Sequence, residues 1–169
     1  TDDVRRLLAC PGVDVNVRSE RRGITPLMDA VRSGSEEMVD LLLAHSGVDL
    51  SVLDYAGCSA FQHAVSAGRM PMLLRLLAHP SAQANVRSRV GATALIDAVT
   101  RGNEEAACVL LEAGAPIMSL GLGLFHDMDV VQCAIGFVGG DFSEELFRKL
   151  LAAGADTSAV SPGTGTTAL

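Results

Sequence analysis

Tryptophan is absent from this chain, tyrosine occurs once and phenylalanine five times in 169 residues. Leu, Val and Ala must therefore build the core, which suits short helices packed at close range. Lysine is nearly missing too: Lys149 stands against twelve arginines, a ratio with no functional reading. An excess of positive charge is lacking. Thirteen basic residues face 20 acidic ones, for a net charge of −7. That disfavours nonspecific binding to nucleic acid or anionic membrane, both of which need a basic surface. The longest charge-free apolar stretch, Ala113 to Phe125, contains three glycines and is too short to span a bilayer. The opening Thr1-Asp2-Asp3 is acidic, unlike the start of a secretory signal. Four cysteines, at 10, 58, 108 and 133, form no CxxC and no Cys/His cluster. This excludes a zinc site and a disulfide framework, and free thiols predict a reducing, cytoplasmic compartment. No P-loop, dinucleotide fingerprint or Ser/His/Asp order is found.

What the chain does have is an internal repeat. Gly23-Ile24-Thr25-Pro26-Leu27 returns as Gly57-Cys58-Ser59-Ala60-Phe61 and again as Gly91-Ala92-Thr93-Ala94-Leu95, each time 34 residues on. It closes the chain as Gly165-Thr166-Thr167-Ala168-Leu169. A second glycine follows each of the first three at a fixed offset, as Gly34, Gly68 and Gly102, and leucine pairs follow at 41–42, 73–74 and 110–111.

One unit reads as two short helices and a turn. Thr25-Pro26 starts a helix running to about Ser33, with Thr as cap and Pro where its missing N–H costs nothing. Leu27, Ala30 and Val31 form its inner face, and the small Ala30 recurs as Ala64, Ala98 and Ala134. Gly34 supplies the turn out of the helix. Ser35-Glu36-Glu37 opens a second helix with Ser as cap and two carboxylates in the positive first turn, as do Asn103-Glu104-Glu105 and Ser143-Glu144-Glu145. These Glu pairs compensate the helix dipole and are not general acid/base groups. Met38, Leu41 and Leu42, with Val39, are expected to face the core.

A pair of antiparallel helices with a projecting finger every 34 residues resembles the ankyrin repeat. The family's T-P-L-H-x-A signature stands here as Thr25-Pro26-Leu27-Met28-Asp29-Ala30, Ser59-Ala60-Phe61-Gln62-His63-Ala64 and Thr93-Ala94-Leu95-Ile96-Asp97-Ala98. Its G-A-D-V-N ending stands as Gly12-Val13-Asp14-Val15-Asn16, Gly47-Val48-Asp49 and Gly154-Ala155-Asp156. The family His is replaced at Met28, Gln62 and Ile96, which removes a usual inter-repeat hydrogen bond. The resemblance implies an all-α ankyrin-repeat solenoid of stacked helix-turn-helix units with projecting β-hairpin fingers. It forms a single domain over 1–169: a partial repeat at 1–19, repeats at 20–53, 54–87 and 88–120, a longer aberrant repeat at 121–160 and a partial one at 161–169. Insertions and Gly136, Gly139 and Gly140 make the fourth repeat the expected weak link. Neither end carries a polar cap, so the chain reads as a segment of a longer array.

The resemblance also implies the site. In the ankyrin family the finger tips and the outer face of the first helix line a concave groove that binds partners. Carried over by alignment, the finger residues are Arg21, Arg22 and Ile24, then Tyr55, Ala56 and Cys58, then Arg89, Val90 and Ala92. The helix residues are Asp29, Arg32 and Ser33, then His63, Ser66 and Ala67, then Asp97, Thr100 and Arg101. Asp29, His63 and Asp97 fall at one aligned position, and helices stacked about 8–10 Å apart would make them a recognition stripe. Arg21, Arg22, Arg89 and Arg101 would flank it. The apolar finger bearing Leu124 and Phe125 either folds back on the array or anchors a partner. Leu8 with Asp14-Val15-Asn16 resembles the acceptor sequence for asparaginyl hydroxylation in ankyrin proteins, with Asn16 the candidate acceptor, although the same residues make the ordinary inter-repeat turn. The expected function is binding of another protein or peptide. No catalysis, metal, cofactor, small-molecule substrate, nucleic acid or membrane is expected. The alternative is a regulatory or targeting segment of a larger enzyme, such as a kinase or ligase, with its catalytic domain outside this chain.

Overall fold

The computed structural model describes residues 2–89, 91–117, 130 and 143–155. Among the described residues there are eight helices and no strand. The chain divides into two compact units, Thr1–Gln83 and Ala84–Leu169. The first holds α1 (Asp2–Leu8), α2 (Pro26–Ser33), α3 (Glu36–Leu43), α4 (Ala60–Ser66) and α5 (Met70–Ala78). The second holds α6 (Ala94–Thr100), α7 (Glu104–Glu112) and α8 (Glu144–Ala152).

Caps start these helices much as the sequence predicts. The Thr25 hydroxyl accepts the Met28 N–H at 3.3 Å, Pro26 occupies the first turn, and Gly34 ends α2 at φ 78°. Thr93, Asn103 and Ser143 cap α6, α7 and α8 in the same way. Ser35 differs: its backbone is extended but its side chain caps nothing. At α4 the cap is reciprocal. Ser59 Oγ accepts the Gln62 N–H at 3.4 Å and Gln62 Oε1 accepts the Ser59 N–H at 3.0 Å. Gln62, standing where the family has His, thus closes a capping box inside the core.

In the first unit α2 packs on α3 and α4, and α5 on α3 and α4. Leu27, Val31, Phe61, Val65, Met72, Leu73 and Leu76 are buried there. On α3 the burial corrects the expected face: Val39 and Leu42 are buried, while Met38 and Leu41 are half-buried. In the second unit α6 packs on α7 and α7 on α8, around Leu95, Ile96, Val99, Leu110, Leu146 and Leu150. Ala30, Ala64 and Ala98 are all buried at the inner face of their helices. A side chain longer than a methyl there would push the neighbouring helix away.

Ion pairs tie the second helices together within each unit. Arg5 reaches Glu37 at 3.3 Å, and Arg75 reaches Glu36 at 2.6 Å and Asp40 at 2.7 Å. In the second unit Lys149 reaches Glu112 at 2.9 Å and Glu145 at 3.2 Å. The Arg75 pKa is raised, chiefly by Glu36, and that of Lys149 is raised, chiefly by Glu112. The Glu pairs at helix starts therefore join successive repeats as well as compensating the helix dipole.

The fingers are tight turns. Ser19, Asp54 and Ser88 each donate a backbone N–H to the carbonyl of Ile24, Cys58 and Ala92. Each also takes the N–H of that same residue on its side chain, at 3.0, 2.8 and 3.1 Å. This reciprocal clasp closes the turn without the strand pairing expected of a hairpin, and the left-handed Gly23, Gly57 and Gly91 sit within it. The first clasp spans five residues and the other two span four.

Substituting Ala64 by Leu should cost about 1–3 kcal/mol of stability, because a full side chain cannot be housed between packed helices. Ser66→Ala, on the exposed side of the same helix, should change stability by less than about 0.5 kcal/mol. Urea unfolding of both variants checks this; equal midpoints would show that the alanine column does not set helix spacing.

Candidate protein-binding surface

The face formed by the first two finger turns and the outer sides of α2 and α4 lies within the first unit. The first turn exposes Arg21 and Arg22 and half-buries Ile24. The Tyr55 N–H donates to the Arg22 carbonyl at 2.8 Å, which joins the second turn to the first. The Tyr55 ring then lies on Gly23. A Cβ at Gly23, whose φ is +67°, would stand 2.6 Å from the ring's Cδ1. Only glycine therefore fits, for both backbone and contact reasons. The Arg18 guanidinium stacks 4.9 Å from the Tyr55 ring centroid, and its Nε donates to the Gly23 carbonyl at 3.3 Å. Tyr55 is thus held from three sides yet stays 47% exposed.

Two open grooves adjoin on this face. One, of about 680 Å³, is lined by Val17, Arg18, Arg21, Arg22, Ile24, Pro26, Asp29 and Arg32, with Ser19 and Thr25. The other, of about 460 Å³, shares Arg21, Arg22, Ile24 and Arg32 and adds Asp54, Tyr55, Ala56 and His63. Arg32 reaches Asp29 at 2.8 Å across one helix turn, between two exposed side chains. Such a pair contributes only about 0–1 kcal/mol and yields readily to a ligand.

His63 departs from the expected stripe. Its Nε2 lies 3.0 Å from Asp54 Oδ2, while Asp54 Oδ1 accepts the Cys58 N–H at 2.8 Å. Asp54 is only 6% exposed, and a carboxylate so placed needs partners. The His63 ring supplies one, so it holds its own repeat's turn in place of bridging Asp29 and Asp97. Ser33 Oγ donates to its own helix at Ala30, and Ser66 is exposed at the end of α4.

In the second unit Arg89 and Arg101 are exposed, and Asp97 is half-buried where exposure was expected. Val90, Leu124 and Phe125 lie outside the described residues, as do most of the 121–160 repeat and all of 161–169.

Asn16 is half-buried and both ends of its amide are engaged. Its Nδ2 donates to the Gly47 carbonyl at 2.7 Å and its Oδ1 accepts the Asp49 N–H at 2.9 Å, which links two successive repeat endings. Among the described residues no group of three or more His, Cys, Asp or Glu is placed to hold a metal, and no helix is long and apolar enough to cross a membrane.

Sequence reasoning missed Arg18 and Val17 as parts of this face. A signal was present: Asn16-Val17-Arg18-Ser19 recurs as Asn85-Val86-Arg87-Ser88.

Stacked helix pairs joined by clasped turns, with charged and aromatic side chains gathered on one face, define a class of repeat protein built to present a surface. A family model of ankyrin repeats, in three copies, matches residues 1–88, just over half the chain. The chain belongs to the ankyrin repeat family. Ankyrin repeats are in general non-catalytic protein–protein interaction modules.

The repeat endings supply a pH-dependent element. The Asp49 carboxylate accepts the Ser51 hydroxyl at 2.6 Å and the Ser51 N–H at 2.8 Å, which holds it below its ordinary value of 3.8. A carboxylate whose folded pKa is depressed stabilises the fold above its unfolded pKa, and that contribution is lost as pH falls through the folded pKa. Ser51→Ala should therefore raise the Asp49 pKa and reduce this stabilisation at neutral pH, the Ser51 N–H bond persisting, while leaving stability at strongly acid pH unchanged. Side-chain NMR titration reads the shift. An Asp49 midpoint unmoved by the substitution would show that the hydroxyl does not set it.

Proposed function

We propose that this chain binds another protein or peptide through the finger turns and first-helix faces, and that the surface of the first unit is a principal contact. The observation that carries this reading is Tyr55, an exposed ring fixed in place by Gly23, Arg18 and the Arg22 carbonyl. An aromatic side chain ordered before binding loses little entropy on contact, which is how interface anchors work. Ile24 adds an apolar neighbour, and Arg21, Arg22, Asp29 and Arg32 add charged rim positions. In the second unit Arg89, Asp97 and Arg101 stand at the corresponding positions of their own repeat and belong to the same proposal. On this reading the chain has no chemistry of its own.

The test is a comparison of wild type with the Tyr55→Ala, Ile24→Ser double variant, each immobilised and exposed to lysate of its source. Wild type should retain one or more proteins in stoichiometric amount, the double variant should lose at least about tenfold of that retention, and both should melt within a few degrees of each other. Retention unchanged in a folded double variant contradicts this face as the interface.

A further inference from the structure

The first-unit face is basic within an acidic protein. The chain as a whole carries −7, yet the larger groove brings Arg18, Arg21, Arg22 and Arg32 around one carboxylate, Asp29. Two of these arginines are committed: Arg18 to the Tyr55 ring and the Gly23 carbonyl, and Arg32 to Asp29. Elsewhere in this unit Arg5 is paired with Glu37 and Arg75 with Glu36 and Asp40, while Arg6 and Arg69 stand apart from the groove without an ion pair among the described residues. The side chains of Arg21 and Arg22 have no hydrogen bond or ion pair among the described residues. They follow Glu20, the residue that the first turn has beyond the other two, and are fixed at their backbone by the Ser19–Ile24 clasp and by Tyr55.

From this arrangement we infer that the first-unit groove takes a short acidic peptide segment, its carboxylates on Arg21 and Arg22 and an apolar side chain against Ile24 and Pro26. The inference rests on the protein-binding reading above and names the chemistry of the partner. Guanidinium groups accept carboxylates through paired N–H donors, so a row of Asp or Glu is the matching peptide chemistry. At physiological salt charges are screened beyond about 8 Å. A ligand in the groove therefore responds to the local arginines, whereas an extended polyanion would also lie along the acidic remainder of the surface. That favours a peptide over nucleic acid, as does the presence of one Phe, Tyr or Trp ring, Tyr55, among the described residues lining the two grooves, where strand binding uses several.

The experiment is fluorescence anisotropy on the full chain with a fluorescein-labelled peptide, Asp-Glu-Leu-Glu-Leu-Glu-Asp, its counterpart with Lys for every acidic residue, and a twelve-residue oligothymidylate. The acidic peptide should bind saturably, and more weakly as salt is raised. Arg21→Glu with Arg22→Glu should lose about tenfold or more in affinity, because two attractive contacts become repulsive. Arg6→Glu, the same charge reversal on exposed α1, should bind as wild type does, and the Lys peptide should not bind. Should the charge-reversed variant fail to fold, Arg21→Gln with Arg22→Gln carries the same prediction with a smaller loss. Absence of saturable binding to the acidic peptide overturns the inference. So does affinity unchanged in the folded double variant, or tighter binding of oligothymidylate that depends on the same arginines. If protein retention from lysate depends on Tyr55 and Ile24 while the acidic peptide does not bind, the acidic-partner inference fails and the protein-binding reading stands.

Discussion

Helices of seven to nine residues do not hold together alone in water, since isolated helices below about 12–15 residues are marginal. The rest of the structure depends on the helices from α2 onward burying their inner faces against neighbours within their own unit. The buried alanines Ala30, Ala64 and Ala98 set how near that approach can be, and Phe61, Leu73 and Leu95 fill the space beside them. The ion pairs between second helices add register more than stability, because their carboxylate partners are more than half solvent-exposed.

Close stacking also makes the face. Because helices repeat at short spacing, their turns come side by side, and the Tyr55 N–H can reach the Arg22 carbonyl of the preceding turn. Gly23 permits the ring to settle on the backbone, and Arg18 covers its other side. A core built with little aromatic content leaves its one tyrosine on the surface, held rigid. The same turns are closed by Ser19, Asp54 and Ser88, and the one carboxylate among them is matched by the one histidine at the facing helix position.

Much of the fold was legible in the residues. Thr25-Pro26, the recurring alanines and the paired glycines locate both helices of a unit, because caps and small-residue contacts are local or strictly periodic. The rotation of α3 was less legible: Met38, Val39, Leu41 and Leu42 are all apolar, so periodicity alone does not choose the buried pair. Aligning the repeats on Gly23, Gly57 and Gly91 hid the extra residue of the first turn, since the insertion lies between Ser19 and that glycine. Contacts between distant residues were not legible. Arg75 meets Glu36 across 39 residues, and Asn16 meets Gly47 across 31, through stacking that no local pattern encodes. His63 was read as a member of a stripe along the face. Its bond to Asp54 depends on the turn folding back over α4, which only the three-dimensional clasp shows.

The central claim is that the turn-side face of the first unit, with Arg21, Arg22, Ile24 and Tyr55, is where this protein meets its partner. Amide chemical-shift mapping of the isotope-labelled chain during titration with the acidic peptide tests it most directly. The account predicts that the largest shifts fall at 17–24, at 29–32 and at 55–56, with α3 and α5 unmoved. Shifts concentrated instead on Glu36, Asp40 and Arg75, or spread evenly over the chain, would contradict it.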